Sequence, residues 1–429
     1  MDSASRRRAG TSDDEGDATS LTLRRFRRVP CDYRCNDQRL TGDGRDTMTR
    51  KQEIRDEVDY PSDAHTRLKH AFYRRYVACW MPRVLQGKWG SAATVVEGFS
   101  GSGKYSDGPD GSALMIAKLY RDHIHSANFH PLKFVTNDLD PRRTAALNTR
   151  LAALPSDARF EHIPLEPATF ESIVDPVQAS DSPSGRRTLW IVDPFGLKQI
   201  PWKAVASCAT RLKNDVLITL MVDEMHRYRT NPVMDGLMTA TFGSEEWKDL
   251  PTPRSTAESK AALIALYRKR LETLGCLTQS FDIDVQGRKS RYSLIFVTHH
   301  QAGLECFNDA KWSADTAGGK GASAVTGFEL TLFEPEIGGL IAAFEEMSGL
   351  HQFEDLVENA ARLGFKETHV RTVLDELFAR GMAFRLEPAT SPKNSPWPAG
   401  SSIALYTQIR VDLDEDELEA DGELDDDSI

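Results

Sequence analysis

Two short segments of this chain end in residues that can do chemistry. The first is Val95-Val96-Glu97-Gly98-Phe99-Ser100-Gly101-Ser102-Gly103, and the second, about ninety residues later, is Leu189-Trp190-Ile191-Val192-Asp193-Pro194-Phe195-Gly196. Each is an apolar run that stops at an acid and a turn. In an open α/β sheet, ligands bind beyond the carboxyl ends of the strands, where such turns lie. Glycine removes the Cβ barrier, so the first turn can bring backbone N–H groups close to a ligand. The second can offer the carboxylate of Asp193, the rigid carbonyl of Pro194 and the aromatic face of Phe195. Together they predict a site for a cofactor and a planar substrate.

Three readings of Gly98–Tyr105 compete. As a nicotinamide fingerprint, G-x-G-x-x-G runs Gly101, Gly103 and then Ser106, so its third glycine is missing. As a phosphate-binding loop, G-x-x-x-x-G-K fits Gly98, Gly103 and Lys104, but Tyr105 stands where a Ser or Thr must hold magnesium. The third pattern, E-x-F-x-G-x-G, resembles the first motif of S-adenosylmethionine-dependent methyltransferases. In that reading Gly98, Phe99, Gly101 and Gly103 form the loop under the methionine part of the cofactor, and Glu97 meets its ammonium group.

The strand predicted at Phe134–Thr136 ends in Asn137-Asp138-Leu139-Asp140-Pro141. One carboxylate there can accept hydrogen bonds from both ribose hydroxyls, and Asp138 is placed for it. Asp140 or Asn137 could alternatively serve only as a helix cap. Asp193-Pro194-Phe195-Gly196 resembles the Asp-Pro-Pro-Tyr motif of enzymes that methylate exocyclic amines, and in its own form that of tRNA guanine-N2 dimethyltransferases. An amine conjugated to a ring is a poor nucleophile. Asp193 and the Pro194 carbonyl could accept its N–H bonds and localise its lone pair, with Phe195 stacked on a flipped-out base. The plain alternative is a strand-end turn with a capping Asp. Arg227, beyond the fifth strand, could bind a substrate phosphate. His299 and His300 are adjacent, so they would face opposite ways on a strand, and no zinc spacing emerges.

The elements that must position these residues alternate. An amphipathic helix is predicted at His65–Leu85. Strands are predicted at Ala93–Val96, Phe134–Thr136, Phe160–Ile163, Leu189–Val192 and Val216–Met221, with helices between most of them. This order implies a mainly parallel sheet. Leu277–Ile283 and Tyr292–Thr298, a short turn apart, predict an antiparallel hairpin. The fold class is therefore α/β, a Rossmann-like class I methyltransferase fold over residues 61–313. Residues 314–329 read as a linker, and 330–410 as three helices with a two-stranded wing, a winged helix. Its recognition helix, Thr368–Leu377, is only weakly basic, so protein contact competes with DNA reading.

Composition bounds the rest. The chain has 429 residues and a net charge of −11, but Asp412–Asp427 alone holds eleven acids. Without them 53 of the 64 acidic residues remain against 53 basic ones, so the folded part is neutral. Residues 1–60, with the cluster Arg24–Arg28, and 411–429 read as disordered tails. There is no run of eighteen apolar residues and no apolar leader, which predicts a cytoplasmic protein without a membrane span. The six cysteines are scattered and read as reduced thiols.

From about residue 65 to 410 the chain resembles the three-Cys-motif partner family (TcmP). The matching stretches are Val96–Tyr105, Gly111-Ser112, Val192–Gly196, Val216–Arg227, Phe242-Gly243 with Trp247, and His300–Leu304, with Ser100 where the family has Ala. The resemblance implies a methyltransferase-like domain, a C-terminal winged helix and a nearby-encoded partner protein bearing three cysteines. Cys31 and Cys35 are not that motif, which belongs to the partner. The leading expectation is S-adenosylmethionine-dependent transfer to an exocyclic amine of a nucleic-acid base, RNA before DNA. A catalytically silent binding module and a phosphate-loop nucleotide-binding protein are the alternatives.

Overall fold

The computed structural model of the chain describes residues 57–86, 90–180, 186–284, 291–323, 335–387 and 396–406. The basic cluster Arg24–Arg28, Cys31, Cys35 and the acidic tail lie outside the described residues.

The first described helix, α1 (Ala64–Leu85), starts where Asp63 accepts a hydrogen bond from the Thr66 N–H at 2.8 Å. Then come β1 (Ala93–Glu97), α2 (Ser112–Asp122), β2 (Leu132–Thr136), α3 (Pro141–Ala152), β3 (Phe160–Pro164), α4 (Phe170–Ser180), β4 (Arg187–Val192), α5 (Trp202–Ala209) and β5 (Asn214–Leu220). Asp140 caps α3 and Pro141 takes its first position, where a missing N–H costs nothing. The chain continues through α6 (Val222–Tyr228), α7 (Asp235–Phe242), α8 (Thr256–Glu272), β6 (Leu277–Asp284), β7 (Arg291–Thr298), α9 (Gln301–Ala314) and β8 (Gly321–Ser323).

These strands form one sheet in the order β3-β2-β1-β4-β5-β7-β6-β8. The first five are parallel, and β7 enters antiparallel between β5 and β6. This is the predicted α/β outline, a mainly parallel sheet with a terminal hairpin. β1 and β5 are buried along their whole length, which is why Val95-Val96 and Val216–Ile218 read as apolar on both faces. On one face α1, α2 and α9 bury Phe72, Tyr76, Trp80, Leu114 and Phe307. On the other, α4, α5 and α8 bury Phe170, Trp190, Val205 and Tyr267. Full burial contributes roughly 1.5–3 kcal/mol for a side chain such as Phe72.

Three features differ from the sequence reading. The stretch 314–329 begins at the end of α9 and supplies β8, which pairs with β6 at Asp282↔Gly321; three small residues gave no periodic signal. α4, which carries Pro176 within it, was not anticipated. Cys79 on α1 and Cys306 on α9 form a disulfide, Cα–Cα 5.6 Å, although they stand 227 residues apart. Spacing cannot reveal such a pair, because only the packing of α1 on α9 brings the two together.

A separate small core follows. It is built by α10 (Gly338–Glu345), β9 (Gly349–Gln352), α11 (Phe353–Arg362), α12 (Glu367–Ala379), β10 (Ala383–Glu387) and β11 (Ser402–Leu405). The first of the three expected helices begins at Gly338, with Ile337 as its cap residue. The strands form an antiparallel sheet β10-β11-β9, one strand more than the wing expected. On α12, which contains the expected recognition helix, two basic-type side chains are occupied in packing. His369 is buried with its ring 4.2 Å from that of Trp312, and Arg371 lies over Phe353 at 4.5 Å.

Candidate functional site

The loop after β1 is held by the end of β2. Asn137, at the end of β2, donates through Nδ2 to the carbonyls of Gly98 and Ala168, both at 3.0 Å. Its own carbonyl accepts the Ser100 N–H at 2.8 Å. Gly101 and Gly103 have φ of +58° and +84°, the left-handed region that costs a side chain 1–2 kcal/mol. A Cβ on Gly103 would also lie 2.5 Å from Leu147, whereas Gly101 faces open space. The loop therefore exposes backbone at Gly101 and packs it at Gly103. Phe99, expected at the ligand, turns its ring onto Phe170 at 5.6 Å, so its contribution is to anchor the loop.

Glu97 is 1% exposed at the end of β1. Its Oε2 accepts the Ser112 hydroxyl at 2.9 Å, and its Oε1 is buried with no hydrogen-bond partner. Burial pushes its pKa up to about 8, opposed by the Ser112 bond and assisted by the negative Asp193. A buried carboxylate oxygen without a donor costs free energy until a donor or a cation arrives.

Asp138 is also buried. Its Oδ2 accepts the Gly101 N–H at 3.0 Å and its Oδ1 the Asp140 N–H at 2.9 Å. Each oxygen keeps a second lone pair, so the carboxylate can both staple the loop and accept two hydroxyls. Beside it the Leu139 side chain is 60% exposed, an apolar platform at the sheet edge.

At the end of β4, Asp193 meets a residue that the sequence reading missed. The Lys69 ammonium, on α1, donates to Asp193 Oδ2 at 2.5 Å, with the two side chains only 14% and 16% exposed. Asp193 Oδ1 is buried and has no hydrogen-bond partner. The Phe195 N–H donates to Gln199 Oε1 at 2.7 Å, while its ring stays 40% exposed. The Leu197 N–H donates to Glu224 Oε2 at 3.2 Å, which ties α6 to this turn. Arg227 lies exposed in the last turn of α6.

A segment before α1 covers these turns. Tyr60 packs against Phe195 (ring centroids 6.1 Å) and Tyr105 (5.4 Å), and the Arg143 guanidinium lies 5.4 Å from Tyr60 and 5.5 Å from Phe195. Burial, and then the charge of Asp193, push the Tyr60 phenol up to about 12. The segment is pinned by Asp59 to Arg150 (2.9 and 2.5 Å) and by Ser62 to Asp107 (2.8 and 2.7 Å). The signal for Lys69 was present in the sequence: it shares the helical face of Phe72, Tyr73 and Tyr76, a lysine on a buried stripe. Tyr60 and Arg143 carried no such signal.

The structure thus gathers Glu97, Gly98, Gly101, Asp138, Asp193, Pro194 and Phe195 at the carboxyl edge of β1, β2 and β4, and sets Arg227 on the neighbouring α6. It removes the phosphate-loop alternative. That motif needs a helix to begin at its Lys-Ser/Thr, whereas Lys104 is exposed in a bridge to Asp110 and α2 starts only at Ser112. No described helix is long and apolar enough to cross a membrane.

No family model matches the chain, and no curated protein matches it. Solved structures resemble it distantly. Trm1 from Pyrococcus horikoshii, in complex with S-adenosyl-L-methionine, is 9% identical over 58% of this chain, with a TM-score of 0.34. This chain spans 60% of the length of that one. The O-methyltransferase TomG from Streptomyces achromogenes, in complex with SAM, is 14% identical over 58% of this chain and 96% of its own (TM-score 0.28). A putative caffeoyl-CoA O-methyltransferase from Staphylococcus aureus is 10% identical over 60% and 93% (TM-score 0.30). The fold stands on its own strand order and register, not on these distant likenesses.

Proposed function

We propose that the chain is an S-adenosylmethionine-dependent N-methyltransferase that acts on an exocyclic amine of a nucleic-acid base, RNA before DNA. The observation that carries this reading is a pair of buried carboxylate oxygens without partners, Glu97 Oε1 and Asp193 Oδ1, at the ends of neighbouring strands β1 and β4. One suits the ammonium of a methionine moiety, the other an N–H of the acceptor. Glu97, the Gly98–Gly103 loop and Asp138 would hold the cofactor, which when bound supplies a methyl group on a sulfonium.

The residues of the chain do the remaining work. Asp193 Oδ1 and the Pro194 carbonyl accept the N–H bonds of the amine and turn its lone pair outward for in-line attack. Asp193 Oδ1 would take the proton that leaves the nitrogen and pass it on to water. The exposed ring of Phe195 offers a stacking face for the base, and Arg227 a charge for a flanking phosphate.

The C-terminal unit is read as a winged helix, and the whole as a member of the three-Cys-motif partner family working with a cysteine-bearing partner. Its support is the set of motif stretches in the sequence, together with the order α10-β9-α11-α12-β10-β11. The test is transfer of radiolabelled methyl from S-adenosylmethionine to unmodified tRNA transcripts, with single-stranded DNA as comparison. Label in an exocyclic amine, lost in Asp193→Ala, is the expected result. Cofactor binding with no transfer to either pool would favour a silent binding module.

A further inference from the structure

The acceptor side of the cleft contains a cation of its own. Lys69 and Asp193 are 124 residues apart in sequence, yet their charged groups meet at 2.5 Å with both side chains largely buried. The lysine is not free to drift. α1 is fixed across the sheet by Tyr73 Oη with Thr219 Oγ1 (2.6 Å) and by Trp80 Nε1 donating to Asp215 Oδ2 (2.7 Å). Its charge is felt at Glu97 and at His70, which burial and then Lys69 push down to about 4 and so keep neutral.

We propose that Lys69 sets the acceptor specificity of this site by neutralising Asp193, so that the nitrogen to be methylated enters uncharged. The proposal rests on the methyltransferase reading above. A bare carboxylate in a dry cleft would attract an ammonium and hold it protonated, and an ammonium has no lone pair to attack with. With Lys69 on Oδ2, an incoming cation gains little from Asp193 and is repelled by the lysine. A neutral amine loses nothing, because Oδ1 still accepts its N–H bond. Conjugated amines on a heteroaromatic ring are neutral at pH 7; alkylamines are not. Lys69 therefore selects the aromatic amine against a lysine-like one, and does so by repulsion as well as by attraction.

The test needs no methyl acceptor. It compares S-adenosylhomocysteine with sinefungin, an analogue that carries an ammonium group where the transferable methyl stands, by calorimetric titration at pH 7. In the wild-type protein the two should bind within about threefold of each other. In Lys69→Met, sinefungin should gain about tenfold over S-adenosylhomocysteine, whose own affinity stays within about twofold. The gain should vanish in Lys69→Met/Asp193→Asn, and Lys69→Arg should keep the wild-type ratio. If Lys69→Met does not fold, Asp193→Asn alone decides: with Lys69 unpaired, sinefungin should lose about tenfold relative to S-adenosylhomocysteine. An unchanged ratio in these variants overturns the proposal. So does an equal loss of both ligands in Lys69→Met, which would make the lysine a ligand of the cofactor carboxylate. Binding of neither ligand to the wild-type protein would instead sink the methyltransferase reading itself, and this proposal with it.

Discussion

Glu97 and Asp193 stand at the ends of adjacent strands, and each leaves one buried oxygen without a partner. Their surroundings differ. Glu97 has only the Ser112 hydroxyl beside its other oxygen, and burial raises its pKa to about 8. Asp193 has a lysine in contact. One strand end calls for a cation, and the other already contains one. In the proposed function, the division of labour between a cationic cofactor and a neutral acceptor lies in what stands next to these two carboxylates.

The two carboxylates should part most clearly when Asp193 is changed. Replacing it with Ala should lower methyl transfer by about 100-fold or more, the usual worth of a group that handles a proton in the transition state. Affinity for S-adenosylhomocysteine, which has no sulfonium charge, should change by less than about threefold. A matched fall in both would merge the two halves into one. Glu97→Gln is the converse experiment. It should weaken S-adenosylmethionine binding by about 1.5–3 kcal/mol, the range for hydrogen bonds to a charged group, as read by calorimetry.

Trp80→Phe sharpens the role of α1. It removes one of two donors from buried Asp215, whose other partner is the Thr298 hydroxyl. The loss should be about 1–3 kcal/mol of stability by denaturant titration. Sinefungin selectivity should move with it only if the helix shifts Lys69. The smallest effect is expected at Arg227. As an exposed phosphate contact, its change to Ala should reduce the salt slope of RNA binding by about one and leave cofactor binding untouched.

The parallel half of the sheet was legible because β1, β4 and β5 are buried on both faces and read as apolar runs with abrupt ends. The same abruptness marked Glu97, Asp138 and Asp193. What lay hidden is what reaches these residues from elsewhere in the chain. Lys69 shows in the sequence as a lysine on a buried stripe, but its partner lies 124 residues downstream; Tyr60 comes from a segment without periodicity, and Cys306 meets Cys79 only through helix packing. Phe99 shows the opposite error: it sits within the motif, yet its ring belongs to the core around Phe170. Motifs identify strand ends, while charge neutralisation across a cleft is a property of the tertiary fold.

In the proposed function Glu97 stands ready for a cofactor ammonium. Its sign with pH is definite. The folded protein holds the Glu97 proton more tightly than the unfolded chain. Its contribution to stability is therefore complete below the ordinary glutamate value of 4.5 and is lost as pH rises through about 8. Cofactor binding needs the ionised form and should strengthen over that same interval. Calorimetric titration with S-adenosylmethionine at pH 7, in two buffers of different ionisation enthalpy, measures both at once. We expect saturable binding with release of close to one proton, the release disappearing in Glu97→Gln. Absence of binding, or binding with the same proton count in Glu97→Gln, would contradict it.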